Sequence, residues 1–243
     1  STLMWRHPVL DELGIICVGA AEAGNNRQVA NREQLALDGI ATISRRYHVD
    51  PRRVYITGVS GGGRVSSMMV ACFPDVFAGA VPIVGLACFQ PVPNGTGRFW
   101  PRGYERPRPE LWKLSKSRRI AAITGQKDFN ELEMQNAANI MQKEGMTLRL
   151  FDYPDMGHEA PTPERFAEAL KWVDEPYRTQ REIEVASAKK AMESYDTKES
   201  KTDEAARKLL YKATMDGAWT ESAWRAAGIL GLVMKTQPAG QDR

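Results

Sequence analysis

Residues 54–64 read Val54-Tyr55-Ile56-Thr57-Gly58-Val59-Ser60-Gly61-Gly62-Gly63-Arg64: an apolar, β-branched segment that runs straight into three consecutive glycines. The segment Arg53 to Thr57 predicts a strand buried on both faces, and Gly61 to Phe73 predicts a helix, with Met68, Met69 and Cys72 on its core side. A serine between them, with glycine two positions to either side, has the Gly-x-Ser-x-Gly spacing of a sharp strand-to-helix turn. Side-chain bulk is removed there because neighbouring backbone must pass close by. The five-residue pattern recurs by chance, and a phosphate-cradling turn or a plain tight crossover would use similar residues. Its meaning therefore depends on what surrounds it.

Working outward, apolar runs alternate with helical patterns. Gly14 to Ala20 reads as a first strand, about Gln28 to Tyr47 as a helix ended by Asp50-Pro51, and Phe77 to Val84 as a third strand despite Pro82. Leu111 to Ser117 predicts a short helix, Ile120 to Thr124 a fourth strand, Glu131 to Glu144 a helix and Thr147 to Tyr153 a fifth strand. Thr162-Pro163-Glu164 opens a further helix, with Thr162 as N-cap and proline in the first turn. Residues Gly85 to Pro109 are rich in proline, including Pro91, Pro93, Pro101, Pro107 and Pro109, and predict a long loop. Strand and helix in this rhythm imply an α/β fold, a mostly parallel sheet with helices on both faces. After Pro176 the strand signal stops. The expected organisation is a domain over residues 1–176 and a helical appendage over 177–243, whose Asp203 to Met234 portion carries Trp219, Trp224, Ile229 and Leu232. Packing or homo-oligomer formation is the expected role of those helices.

Composition excludes several function classes. The 243 residues hold 33 basic and 30 acidic side chains, a net charge of +3, which argues against nucleic acid as a partner. No run of about 18 apolar residues suggests a membrane span, and no basic-then-apolar leader is present. Cys17, Cys72 and Cys88 are odd in number and widely spaced. They are expected to be buried free thiols rather than a disulfide or metal site, with only Cys88 in a loop that could expose it.

In a parallel sheet, ligands meet the protein beyond the carboxyl ends of the strands, where Ser60 falls. A serine nucleophile needs a base and a group to orient that base. Of the three histidines, His7 and His48 fall at the opposite edge of the sheet, while His158 follows the fifth strand. Asp128 follows the fourth strand and is the expected acid, with Asp152 and Asp155 as competitors. The backbone N–H of Gly61, at a helix N-terminus, is placed to receive a developing oxyanion. Gly24 and Asn25 should border the pocket, and Phe89, Phe99 and Trp100 of the long loop are candidate substrate contacts. Arg98, Arg102, Arg106 and Arg108 of the same loop could attract a carboxylate.

The order Ser60, Asp128, His158 is that of the α/β-hydrolases. The chain resembles their polyhydroxybutyrate depolymerase and feruloyl-esterase-like group over roughly residues 10 to 175. The resemblance rests on Val49-Asp50-Pro51-Arg52-Arg53-Val54-Tyr55-Ile56-Thr57-Gly58-Val59-Ser60-Gly61-Gly62, on Phe73-Pro74-Asp75-Val76-Phe77-Ala78-Gly79-Ala80-Val81-Pro82, and on Thr124-Gly125-Gln126-Lys127-Asp128-Phe129-Asn130 with Gly157-His158. It implies hydrolysis of a small-molecule or polymeric carboxylic ester through an acyl-enzyme, with no metal or organic cofactor, in an extracellular or periplasmic setting. Such folds bring three further strands before the segment equivalent to Gly14 to Ala20, and a His-Gly loop that supplies a second oxyanion donor. Neither stands in these residues, so a preceding segment or a second chain is expected. A peptidase or amidase with the same triad, or a non-catalytic protein with an inherited fold, remains compatible with the sequence.

Overall fold

The computed structural model describes residues 8–218 and 220–232, and divides into two compact units, residues 1–174 and 175–243. His7, Trp219 and Met234 lie outside the described residues.

The first unit is built on four parallel strands in the order β1 (Tyr55–Val59), β2 (Gly79–Ile83), β5 (Arg119–Lys127), β6 (Leu148–Gly157). Each sheet strand lies beside the next one in sequence, and parallel crossovers are right-handed, so the connecting helices must fall on one face. These helices are α3 (Gly61–Cys72), α4 (Pro109–Lys116) and α5 (Glu131–Lys143). Their Val65, Met69, Trp112, Met134 and Met141 pack with Ala80, Ile120 and Ala122. The alternate strand residues Val81, Ile83, Ala121 and Ile123 face the other way. There they meet Val9, Leu10 and Leu13 of α1 (Pro8–Leu13), and Phe166, Leu170 and Val173 of α6 (Pro163–Asp196). The period-two alternation thus divides one sheet into two cores. Helix α2 (Val29–Ser44) adds Ala36, Leu37 and Ile40, partly buried, to the first of them.

Proline sits inside β2 without ending it. The β2–β5 ladder pairs at Gly79, Ala80 and Ile83 and skips Val81 and Pro82, where proline has no N–H to give. On its other side Pro82 stays in register with Gly58.

Three sequence expectations need correction: the strand at Gly14 to Ala20, the burial of Cys17, and the wholly looped Gly85 to Pro109. Gly14 to Ala20 forms no strand: Ile16 and Val18 are about half exposed, and Cys17 is exposed rather than buried. An apolar run becomes a strand only when a neighbour bonds its backbone, and Gly14 to Ala20 joins no ladder among the described residues. Cys88 is buried as expected, at 3% exposure, although it lies in the Gly85 to Pro109 region. The region Gly85 to Pro109 is not wholly loop, since β3 (Val92–Pro93) and β4 (Phe99–Trp100) form a short antiparallel ribbon. Helix α6 carries Pro176 in its interior. A proline there removes the donor for the carbonyl of Trp172, four residues back. Arg119 supplies a replacement, its guanidinium donating to that carbonyl at 2.7 Å while lying over the Trp172 ring.

The second unit holds the rest of α6, α7 (Glu204–Asp216) and α8 (Glu221–Leu230). Its core is mostly alanine, with Ala188, Ala191, Ala206, Ala213 and Ala226 around Met192, Tyr195 and Leu210. Asp203 and Thr220 cap α7 and α8 by accepting from Ala206 and Ala223 N–H groups, and Gly231 closes α8 in the left-handed region. Met215, Ile183 and Tyr211 stay exposed.

Candidate active site

The turn at Ser60 is held in a conformation that side chains rarely adopt, with φ 57° and ψ −116°. The Ser60 N–H donates to the Ile83 carbonyl at 2.7 Å, which ties the turn to the carboxyl end of β2. Glycine is required where backbones cross. A Cβ on Gly58 would stand 2.5 Å from the Gly62 backbone, and one on Gly63 would stand 2.5 Å from the Gly85 carbonyl oxygen. Helix α3 therefore starts directly beneath the serine. Its first N–H groups, Gly61 included, have no intrahelical acceptor and point toward the space above the sheet edge.

His158 lies just beyond β6, and its ring bridges two partners. Nε2 is 2.8 Å from Ser60 Oγ and Nδ1 is 2.7 Å from Asp128 Oδ1. A carboxylate only accepts, so the Nδ1–H must donate to Asp128, which leaves Nε2 free to take the serine proton. The Asp128 side chain is fully buried. It also accepts from Asn130 N–H at 3.0 Å and from Thr124 Oγ1 at 2.9 Å. These contacts fix the carboxylate before the histidine binds to it. Asp155 pairs with Arg165 at 2.6 Å, and Asp152 accepts from Gln135 at 3.1 Å through Oδ2 while its buried Oδ1 has no hydrogen-bond partner among the described residues.

The other sequence candidates separate. Asn25 lies against Gly61, its carboxamide filling the place where a Cβ would stand. Gly24 belongs to the turn before it, its carbonyl accepting from Arg27 N–H, and Arg32 Nε holds the neighbouring Ala23 carbonyl at 3.0 Å. Phe89 is 6% exposed and packs edge-on to Trp112 and Tyr104, with Arg106 over its ring, and it lines a cavity with Gln90, Arg102, Glu105 and Arg106. Trp100 packs half-buried against the first core, and Phe99 is 63% exposed on the ribbon. Arg102 and Arg106 are paired, with Glu105 and Glu144 respectively. Among the described residues, no group of three or more His, Cys, Asp or Glu side chains is arranged to hold a metal ion, and no helix is long and apolar enough to cross a membrane.

Sequence reasoning assigned no role to Thr124, Phe129 or Asn130, although all three touch the Asp128–His158 pair. Thr124 had a faint signal, a hydroxyl in an otherwise apolar strand four residues before the acid.

A parallel sheet with Ser, Asp and His beyond its carboxyl edge defines an α/β-hydrolase. Within that class, residues 23–180 match the model of the prolyl oligopeptidase family, and the chain belongs to it. It is similar to poly(3-hydroxyalkanoate) depolymerase C of Paucimonas lemoignei, 30% identical over 131 residues, which are 45% of this chain and 29% of the relative. It is also similar to acetylxylan esterase A of Emericella nidulans, 28% identical over 94 residues, which are 37% of this chain and 29% of that one. The chain thus matches less than a third of the length of these curated relatives. An uncharacterized protein from Bacillus cereus ATCC 10987 shares the fold, with a TM-score of 0.51 and 13% identity over 72% of this chain and 54% of that one.

Proposed function

We propose that the chain carries the catalytic triad of a serine hydrolase that cleaves carboxylic esters, with Ser60 as nucleophile, His158 as base and Asp128 as its orienting acid. The observation that carries this reading is the unbroken chain from Ser60 Oγ through both nitrogens of His158 to the buried Asp128, at 2.8 and 2.7 Å. In the forward step Ser60 Oγ bonds to the ester carbonyl carbon while its proton passes to His158 Nε2. The carbonyl oxygen then carries the negative charge beside the Gly61 N–H. The imidazolium next protonates the departing alcohol oxygen, leaving an acyl-serine. Water repeats the sequence through the same base and releases the acid. One oxyanion donor contributes about 2.7–4 kcal/mol to the transition state, so a second donor matters. The Asn25 carboxamide, packed on Gly61, is a candidate for it. The depolymerase and esterase names of the curated relatives support an ester substrate, small or polymeric.

The match to the prolyl oligopeptidase family favours a second reading, cleavage of a peptide bond by the same triad. The leaving group is not written in the triad, so substrates must decide. Incubation of the chain with a fluorophosphonate, followed by intact-mass measurement, is expected to give one adduct that Ser60→Ala abolishes. Absence of any adduct would overturn the hydrolase reading. Short acyl esters and prolyl p-nitroanilides assayed side by side separate ester from peptide cleavage.

A further inference from the structure

Phe129 leaves 76% of its surface in water, yet its ring lies stacked on that of His158, centroids 3.9 Å apart and planes 27° from parallel. A large apolar side chain gains little from such exposure, so its contact with the imidazole calls for an explanation. The two hydrogen bonds of His158 both run along the edge of its ring, at Nδ1 and Nε2. Edge contacts fix the ring along the line between its partners and leave it able to tilt about that line. A flat surface against one face removes the tilt.

The chain around Phe129 is itself clamped. On one side is the buried Asp128; on the other, Asn130 donates its N–H to Asp128 Oδ1 and its Nδ2–H to the Val84 carbonyl at 2.9 Å. The Glu131 N–H then closes a turn onto the Asp128 carbonyl. Val84 has φ 43°, unusual for a β-branched residue, and its N–H is held by the Ile123 carbonyl. Acid, clamp and stacking ring are thus one rigid unit anchored to the ends of β2 and β5. An aromatic face is also the negative part of the ring's quadrupole, which favours the imidazolium formed in each proton transfer.

We infer that Phe129 is a positioning residue that holds the His158 imidazole in its working plane and shields one face of it; this rests on the serine hydrolase reading given above. The test compares the full chain with Phe129→Leu, which keeps apolar bulk without the π face, and Phe129→Tyr, which restores the ring. Turnover of an aliphatic ester, followed by acid release, avoids any stacking of an aromatic substrate. Phe129→Leu is expected to lower kcat about 3- to 10-fold with KM unchanged within about twofold, and Phe129→Tyr to recover it. Fluorophosphonate labelling should slow in parallel. Proton NMR gives a readout independent of activity: with only three histidines in the chain, His158 is assigned by His158→Gln, and its ring protons should lose an upfield ring-current shift in Phe129→Leu. Unchanged kcat, a rise in KM alone, or His158 resonances indifferent to the substitution would overturn the inference. A wild-type chain with the ring-current shift but neither turnover nor adduct would instead overturn the hydrolase reading on which it rests.

Discussion

The Ser60 N–H and the Ile83 carbonyl, 2.7 Å apart, join the turn after one strand to the end of the next. That bond holds Ser60 at positive φ, and it forms only because α3 starts close enough to β2 for their backbones nearly to touch. Gly58 has little room to give way, since an added methyl would meet the Gly62 backbone at 2.5 Å. Gly58→Ala is expected to cost about 1–3 kcal/mol and to suppress fluorophosphonate labelling. Gly62→Ala meets only an Arg32 nitrogen, at 4.0 Å, and should keep both stability and labelling. Thermal midpoints and adduct formation rates, measured together, check the contrast; equal effects would show that the motif's two glycines are equivalent.

Asp128→Asn removes the charge while keeping the shape of a buried side chain that three donors surround. The amide can then present N–H to His158, which reverses the tautomer the base needs. Ester turnover is expected to fall on the order of 10⁴-fold, with the circular dichroism spectrum unchanged. Retained turnover would pass the acid role to Asp152 or Asp155.

Much of this site was legible because it depends on chain order. Ser60, Asp128 and His158 each follow a strand that the alternation of apolar runs had located, and parallel strands deliver their ends to one edge. Contacts that depend on packing were not legible. Phe89 has the same composition cue as Phe99, and only the approach of Trp112 and Arg106 makes it core. Gly14 to Ala20 has a strand's composition without a strand's neighbour. The donor that meets the Trp172 carbonyl one turn before Pro176 is Arg119, 53 positions earlier in the sequence. Local propensity carries none of that information.

Asp174 is completely buried and accepts from Arg53 at 2.8 and 3.0 Å and from Tyr55 Oη–H at 2.8 Å. The carboxylate and burial together push the Tyr55 phenol well above its ordinary pKa, burial being the larger cause. Removing the acceptor takes two hydrogen bonds from a guanidinium that is 17% exposed and one from the Tyr55 phenol. Asp174→Ala is expected to destabilise the first unit by about 3–5 kcal/mol in urea unfolding. Tyr55→Phe should cost about 1 kcal/mol. Since neither residue touches Ser60, labelling below the unfolding transition should persist in both.

Glu144 receives Lys116 Nζ at 3.0 Å, Trp112 Nε1–H at 3.1 Å and Arg106 at 2.8 Å. The bond from Lys116, then that from Trp112, holds its carboxyl below the usual range. A depressed folded pKa means stability that is present above the unfolded value of about 4.3 and lost as pH falls through the lower folded one. Glu144→Gln should therefore cost stability at pH 7, and the gap should close on acidification below about pH 4. Arg106 is 48% exposed and Glu144 25%, so solvent screening limits the effect to about 1 kcal/mol. Urea midpoints at several pH values give the curve, and a gap that widened toward acid would contradict it.

The three thiols should react in an order set by exposure and ionisation. Cys17 is exposed on a segment without strand pairing, Cys72 is half-buried and Cys88 is buried. Burial, with Glu33 nearby, pushes the Cys72 thiol up to about 11, so very little thiolate exists at pH 8. Burial raises Cys88 and Cys17 as well, so it is the exposure of Cys17 that places it first. Brief iodoacetamide treatment of the folded chain at pH 8 is expected to alkylate Cys17 first, with Cys72 much slower and Cys88 protected until urea opens the first unit. Peptide mass mapping over time reads the order. Early modification of Cys88 would mean that the packing of Phe89, Tyr104 and Trp112 around this loop opens far more readily than a buried core does.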